Sequence, residues 1–209
     1  MFDCDGLLMD TEPCWTVAET ELFAARGRSF TPHHKAALIG RSLAHNAAEI
    51  ARLLGETDAL ALERELLERV LEAVAQRARP MPGAVTLVTH AAALMPVAVA
   101  SNAPRRILDA ALARGGLADA FDATLAAEEV AAPKPHPAIY LAACERLRHV
   151  PRDALAFEDS ATGAEAARRA GVRVVGVPTL EGEIGADAHA ASLLDSRLAR
   201  WVEQWAPAA

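Results

Sequence analysis

The spacing of apolar residues changes along the chain. From Met81 onward, short runs rich in valine and alanine alternate with alanine-rich helical stretches, and the clearest runs are 96–101, 154–158 and 172–177. Continuous apolar runs of this length are typical of parallel strands that are buried on both faces. Residues 121–126 are a further strand candidate. Helices are predicted between these strands, over 104–115, 135–147 and 160–171. The alternation predicts an α/β fold: a Rossmann-like parallel sheet with helices on both faces.

Residues 14–79 show a helical spacing instead. The amphipathic stretch 15–27 ends at Gly27, which suits the position after a helix. The stretch 42–55 begins at Ser42, a good helix cap, and 58–78 carries apolar residues at helical spacing. Residues 1–10 instead indicate the end of a strand followed by a glycine-containing loop. The sequence therefore predicts an α/β core whose first strand is separated from the others by a helical insertion.

Composition limits the classes of function. The chain has 209 residues, is 52% hydrophobic and carries a net charge of −7, which is typical of a globular protein without a general nucleic-acid surface. No run approaches the roughly eighteen apolar residues of a membrane span, and no secretory signal is recognisable. Cys4, Cys14 and Cys144 are odd in number and lack CxxC spacing, which argues against a disulfide framework or a zinc site. The predicted location is the cytoplasm.

Two carboxylates follow the first apolar residues. Asp3 and Asp5 are two positions apart, so in an extended backbone both side chains point to the same side. Carboxylates that close require a cation or a shared proton at neutral pH, and Mg²⁺ would satisfy this requirement. The alternative is an ordinary Asp-Gly turn with no ligand.

Polar residues also follow three later strands. Ser101 and Asn102 can bind an anion at a helix start, or can serve only as a helix cap. Lys134 lies between two prolines that restrict its position, so it can neutralise a phosphate or a carboxylate, or it can be a solvated loop lysine. Glu158 and Asp159 can be metal ligands, or can merely favour a helix N-terminus.

In this order and at these places, the motifs DCDG, SN, KP and EDS resemble those of the haloacid dehalogenase (HAD) superfamily of phosphotransferases. The resemblance extends over essentially the whole chain. The segments DTEPCW, GRS, MPG and KPHPAIYLAACERL are similar to the branch that contains sugar-phosphate phosphatases and β-phosphoglucomutase.

The resemblance implies a role for each catalytic residue. Asp3 would be the nucleophile that forms an aspartyl-phosphate, and Asp5 would protonate the leaving alkoxide and then activate water. Ser101, Asn102 and Lys134 would hold the transferring phosphoryl group. The acid at position 5 disfavours dehalogenation, because a halide leaves without being protonated.

The same resemblance implies a Mg²⁺ cofactor. Its ligands would be Asp3, Asp159, the backbone carbonyl of Asp5 and also Glu158. Physical reasoning agrees, since an anionic nucleophile approaches an anionic phosphate only where cations screen the repulsion.

The helical insertion corresponds to the mobile cap of the family. We expect a cap domain at 13–79 and a core domain formed by 1–12 and 80–209, with hinges near 11–13 and 80–83. The loop IGRS (39–42) is the candidate specificity loop, in which Arg41 and Ser42 would contact substrate. The alternative for Arg41 is a solvated residue at a helix start.

The favoured function is hydrolysis of a small phosphorylated sugar or polyol. In the mutase branch a cap histidine follows the first motif, and the matching position here is Trp15. A β-phosphoglucomutase-like mutase is the alternative. A non-catalytic, phosphate-responsive protein is disfavoured, because receiver-like domains lack both the cap and the second acid. The expected partner is the phosphorylated metabolite, with no nucleic acid and no membrane, and the sequence carries no signal for an oligomeric state.

The chain begins close to the first aspartate. Only Met1 and Phe2 precede Asp3, whereas relatives place several apolar residues there. We expect either a truncated first strand or an unusually short one. An upstream in-frame apolar segment, if one exists, is expected to raise thermal stability through added burial and ladder hydrogen bonds.

Overall fold

The computed structural model describes residues 1–38, 41–178 and 184–205. The strands are β1 Met9–Asp10, β2 Arg79–Pro80, β3 Ala98–Ala100, β4 Ala123–Leu125, β5 Leu155–Glu158, β6 Arg173–Gly176 and β7 Ala188–His189. The helices are α1 Glu12–Ala24, α2 Pro32–Leu38, α3 Leu43–Leu54, α4 Ala59–Arg77, α5 Ala84–Ala92, α6 Arg105–Arg114, α7 Ala138–Leu147, α8 Ala161–Arg169 and α9 Ser196–Trp205. None of the helices in these ranges combines the length and hydrophobicity needed to cross a bilayer.

The main sheet is parallel, and the N-terminus lies at its centre. β3 pairs with β4, and β5 pairs with β6, which pairs with β7. Phe2 bridges the two groups, because it forms parallel bridges with both Val99 and Phe157. The Phe2 amide donates to Ala98 O at 2.8 Å, and the Asp3 amide donates to Phe157 O at 3.1 Å. The sheet order is therefore β4, β3, residues 1–3, β5, β6, β7, and Asp3 leaves the sheet at its middle.

Helices cover both faces of this sheet, because alternate strand residues face opposite sides. Val99, Phe157 and Phe2 belong to one buried cluster with residues of α5, α6 and α9. Ala98 and Ala156 belong to a second buried cluster with residues of α7 and α8. The rings of Phe2 and Phe157 are stacked at a centroid distance of 5.0 Å. The predicted α/β fold with a parallel sheet is confirmed.

Residues 12–77, called the helical segment below, contain α1 to α4. The chain leaves the core along β1 and returns along β2, and the two strands pair antiparallel. Ser42 caps the start of α3, and its hydroxyl accepts from the His45 amide at 3.3 Å. Gly55 caps the end of α3, and its φ of 74° requires a residue that tolerates the left-handed region. Asp58 caps the start of α4, and its carboxylate accepts from the Ala61 amide at 2.9 Å. These capping residues lie at the helix starts that the sequence indicated. The division of the chain into a cap domain and a core domain remains a prediction.

Candidate active site

A cavity of about 920 Å³ lies between the carboxyl ends of the strands and the helical segment. Its core side includes Asp3, Asp5, Asn102, Lys134 and Asp159. Its opposite wall comes from α1 to α3 and the residues just before α3, and includes Trp15, Glu19, Lys35, Arg41 and Asn46. Ligands of open parallel sheets bind at this edge, because the loops after the strands converge there.

Lys134 joins two buried carboxylates at the floor of the cavity. Its Nζ lies 2.5 Å from Asp3 Oδ1 and 2.6 Å from Glu158 Oε1, and its side chain is only 4% exposed. The hydroxyl of Tyr140 donates to the same Glu158 oxygen. Burial alone would lower the pKa of Lys134, but Asp3 and Glu158 together raise the pKa well above its usual value. Lys134 is therefore a fixed positive charge at neutral pH.

The backbone of Lys134 is held by Asn102. The Lys134 amide donates to Asn102 Oδ1 at 2.9 Å, and Asn102 Nδ2 donates back to Lys134 O at 3.3 Å. Asn102 itself follows β3, so this pair of hydrogen bonds ties the lysine loop to the neighbouring strand end. The lysine is thereby positioned by both its backbone and its ammonium group.

Three carboxylates meet beside Lys134. Asp3, Glu158 and Asp159 each offer an oxygen, and these oxygens lie within 4.8 Å of one another. Burial raises the pKa of Glu158 to about 8, although Lys134 opposes that shift. Within the described part of the chain, Glu158 Oε2 is buried without a hydrogen-bond partner. A Cβ at Gly163 would lie 2.0 Å from this oxygen, so only glycine leaves room for the carboxylate. A buried oxygen without a partner beside two other carboxylates fits a hard divalent cation such as Mg²⁺.

Asp5 faces different partners. The hydroxyl of Thr11 donates to Asp5 Oδ1 at 2.5 Å, and the hydroxyl of Ser101 lies 3.4 Å from Asp5 Oδ2. Burial and the nearby charge of Asp3 raise the pKa of Asp5 to about 6. Its carboxyl group can therefore exchange a proton near neutral pH. Among the described residues, the carboxylates close enough to share a metal ion are those of Asp3, Glu158 and Asp159, and the carboxylate of Asp5 is not one of them. A contribution from the backbone carbonyl of Asp5 stays a prediction.

The two residues predicted in the specificity loop lie in different settings. Arg41 lines the cavity, whereas the hydroxyl of Ser42 caps α3. Residues 39 and 40 of the same loop lie outside the described residues. Substrate contact by Arg41 and Ser42 stays a prediction.

Sequence reasoning missed several residues of this site. Thr11 and Tyr140 contact Asp5 and Glu158, and although they lie in the segments DTEPCW and KPHPAIYLAACERL, the sequence assigned neither a role in the site. Tyr140 lies within α7 and reaches Glu158 from outside the strand ends, so only the three-dimensional packing reveals it. Three residues of the opposite wall were also missed, namely Glu19, Lys35 and Asn46. For Glu19 the sequence did contain a signal, because this acid lies on the apolar, buried face of α1 and is only 1% exposed.

Known proteins resemble this chain along most of its length. Residues 1–171 match the family described as haloacid dehalogenase-like hydrolase. The fructose-1-phosphate phosphatase YqaB of Escherichia coli K12 is 34% identical over 181 residues, which cover 86% of this chain and 96% of that protein. Hexitol phosphatase B of the same organism is 31% identical, with 88% and 84% covered.

A solved structure shows the same fold. The crystal structure of CbbY from Rhodobacter sphaeroides in complex with phosphate superimposes with a TM-score of 0.82, at 29% identity and with 93% of each chain covered. The family match and the relatives above agree with the order of the motifs at the strand ends. This chain belongs to the haloacid dehalogenase-like hydrolase family.

Proposed function

We propose that this protein is a Mg²⁺-dependent phosphatase that hydrolyses a small sugar phosphate or polyol phosphate through an aspartyl-phosphate intermediate. The observation that carries the proposal is the grouping of Asp3, Asp5 and the charged Lys134 at the floor of one cavity. Relatives named as phosphatases of fructose 1-phosphate and of hexitol phosphates support the substrate class.

Charge neutralisation is the first requirement of the reaction. An anionic carboxylate must approach an anionic phosphate, and the fixed charge of Lys134 beside Asp3 lowers that repulsion. Ser101 and Asn102 follow β3 at the same edge of the sheet and would bind phosphoryl oxygens. A Mg²⁺ ion held by Asp3, Glu158 and Asp159 would further neutralise the phosphoryl oxygens.

Two displacements at phosphorus then follow. An oxygen of Asp3 bonds to phosphorus while the bond to the sugar oxygen breaks, and Asp5 gives its proton to that oxygen. Asp5 next takes a proton from water, the water oxygen bonds to phosphorus, and the bond to Asp3 breaks with release of phosphate. The pKa of about 6 for Asp5 supports both roles, because each protonation state is accessible near neutral pH.

Hydrolysis is favoured over phosphate transfer within a sugar. Trp15 lines the cavity at the position where the mutase branch is expected to place a histidine. An indole cannot act as the general acid or base that such a transfer would use there. A purely phosphate-responsive role is disfavoured by the second acid, Asp5.

We also place the protein in the cytoplasm. Cys4, Cys14 and Cys144 are buried free thiols, which suits a reducing compartment.

The test is a panel of sugar and polyol phosphates with detection of released phosphate. We expect release in Mg²⁺, loss of release in excess chelator, and loss in Asp3→Asn. Absence of phosphate release across the panel, together with conversion of β-glucose 1-phosphate into its 6-phosphate isomer, would overturn the proposal in favour of the mutase.

A further inference from the structure

The cavity wall opposite the catalytic carboxylates contains a cluster of polar residues. Glu19 of α1, Lys35 of α2 and Asn46 of α3 all line the cavity, and they come from three different helices. Lys35 Nζ lies 3.0 Å from Glu19 Oε2 and 2.5 Å from Glu12 Oε1. Three helices thus bring hydrogen-bonding groups to one wall that faces Asp3 and Asp5 across the cavity.

Two of these groups are buried at a cost to stability. Glu19 is 1% exposed, and burial raises the pKa of its carboxyl group more than Lys35 lowers it. Asn46 is 4% exposed, and its Oδ1 is buried with no hydrogen-bond partner in the described ranges. A side chain that lines a cavity and carries a buried polar oxygen without a partner inside the protein is suited to a partner on a ligand.

The charge of Lys35 is balanced within the wall, and the cation Arg41 lines the same cavity separately. The ammonium of Lys35 is already neutralised by two carboxylates, Glu12 and Glu19. A second phosphate or a carboxylate on the substrate would therefore meet carboxylates without an uncompensated cation from Lys35. Hydroxyl groups, in contrast, can donate to Glu19 and to Asn46 Oδ1 and can accept from Lys35.

We propose that Glu19, Lys35 and Asn46 form a hydroxyl-binding subsite for the sugar or polyol part of the substrate. This inference rests on the proposed phosphatase function and extends it to the specificity of the same cavity. The subsite holds the sugar or polyol chain while its phosphate lies at the opposite floor.

The test compares three kinds of substrate in Glu19→Gln and Asn46→Leu. Hexitol monophosphates carry hydroxyls, 4-nitrophenyl phosphate carries none, and sugar bisphosphates carry a second anion. Each variant is expected to lower kcat/KM for hexitol monophosphates relative to 4-nitrophenyl phosphate by about tenfold or more, mainly through KM, because a hydrogen bond to a buried polar group is lost. Glu19→Gln also frees part of the charge of Lys35, so its relative rate on bisphosphates should rise.

Glu21→Gln is the matched control, since Glu21 is an exposed acid of the same helix and lies outside the cavity lining. This variant should keep the wild-type ratios. An equal loss on all three substrates would show a structural role for Glu19 and Asn46 and would overturn the subsite, and so would unchanged ratios.

A failure of the proposed function is distinguishable from a failure of the subsite. If the wild type released no phosphate from any substrate, calorimetric titration with hexitol monophosphate would still test the subsite. Weaker binding to both variants than to wild type and Glu21→Gln would support it. Equal binding to all four proteins would overturn it.

Discussion

Replacement of Lys134 by methionine tests whether the charge of this lysine stabilises the folded protein by compensating the buried carboxylates of Asp3 and Glu158. The substitution keeps the length of the side chain and removes its charge, which lies 2.5 Å from Asp3 and 2.6 Å from Glu158. Removing one partner of a buried ion pair typically costs about 3 to 5 kcal/mol, because the remaining charge is left uncompensated. Glu158 takes up a proton readily, with its pKa raised by burial to about 8, so we expect a loss near the lower end of this range.

Thermal unfolding measures this loss. For a protein of this size, about 3 kcal/mol corresponds to a fall in Tm of roughly 6 to 12 °C in the presence of a chelator. Mg²⁺ should raise the Tm of Lys134→Met by more than it raises that of the wild type, because the ion would supply the missing positive charge between Asp3, Glu158 and Asp159.

The control is Arg106→Met. Arg106 forms an ion pair with Glu68, and both side chains are largely exposed, at 59% and 63%. Such a pair contributes about 1 kcal/mol or less, so this variant should unfold close to the wild type. A Tm for Lys134→Met within the range of this control, or an equal effect of Mg²⁺ on both proteins, would refute the reasoning.

Three further variants test the surroundings of the site. Gly163→Ala should weaken Mg²⁺ binding by about tenfold in calorimetry, because its Cβ would displace Glu158, and an unchanged affinity would argue against this carboxylate as a ligand. Tyr140→Phe removes a hydrogen bond to buried Glu158, so urea denaturation should show a loss of about 0.5 to 1.5 kcal/mol, and equal stability would contradict that role. The pKa of Glu19 is higher in the folded protein than its ordinary value of 4.5. Its favourable contribution to the free energy of unfolding is therefore fully present below pH 4.5 and is lost as the pH rises through the pKa of the folded state. The Tm of Glu19→Gln relative to wild type should therefore increase from about pH 4 to about pH 8, and a constant difference would show that Glu19 titrates normally.

The strands and the edge of the sheet that carries the site could be predicted because their signals are local. Apolar runs at 96–101, 154–158 and 172–177 coincide with β3, β5 and β6. Parallel pairing then forces their carboxyl ends to one edge. For that reason, Asp3 and Lys134 meet although 131 positions separate them.

Three of the described helices were not predicted, namely α2, α5 and α9. α2 has only seven residues, although its start is marked by Thr31 and Pro32, and the Thr31 hydroxyl accepts from the His34 amide at 3.3 Å. Seven residues are too few for a helix to be stable without tertiary packing, which a local pattern does not reveal. α9 is different, because Leu198, Trp201, Val202 and Trp205 follow the spacing of an amphipathic helix, so a local signal for it was present in the sequence.

The long-range contacts of the site could not be predicted from the sequence, because they depend on how elements far apart in the chain pack together. β1 and β2 pair through two residues each, across the whole helical segment, so no periodicity marks them. The contact between Tyr140 and Glu158 depends on how α7 packs against the sheet. The polar wall of Glu19 and Asn46 depends on the mutual packing of α1 and α3.

The central claim is that Asp3 carries the phosphoryl group during turnover. The most direct measurement uses Asp5→Asn with 4-nitrophenyl phosphate and Mg²⁺, because this leaving group needs no proton from Asp5 whereas hydrolysis of the intermediate needs Asp5 as a base. We expect a rapid burst of nitrophenolate close to one equivalent of enzyme, followed by slow turnover, and a phosphoryl group on the acid-quenched peptide that contains Asp3. Linear release without a burst, with that peptide unmodified throughout turnover, would contradict the account.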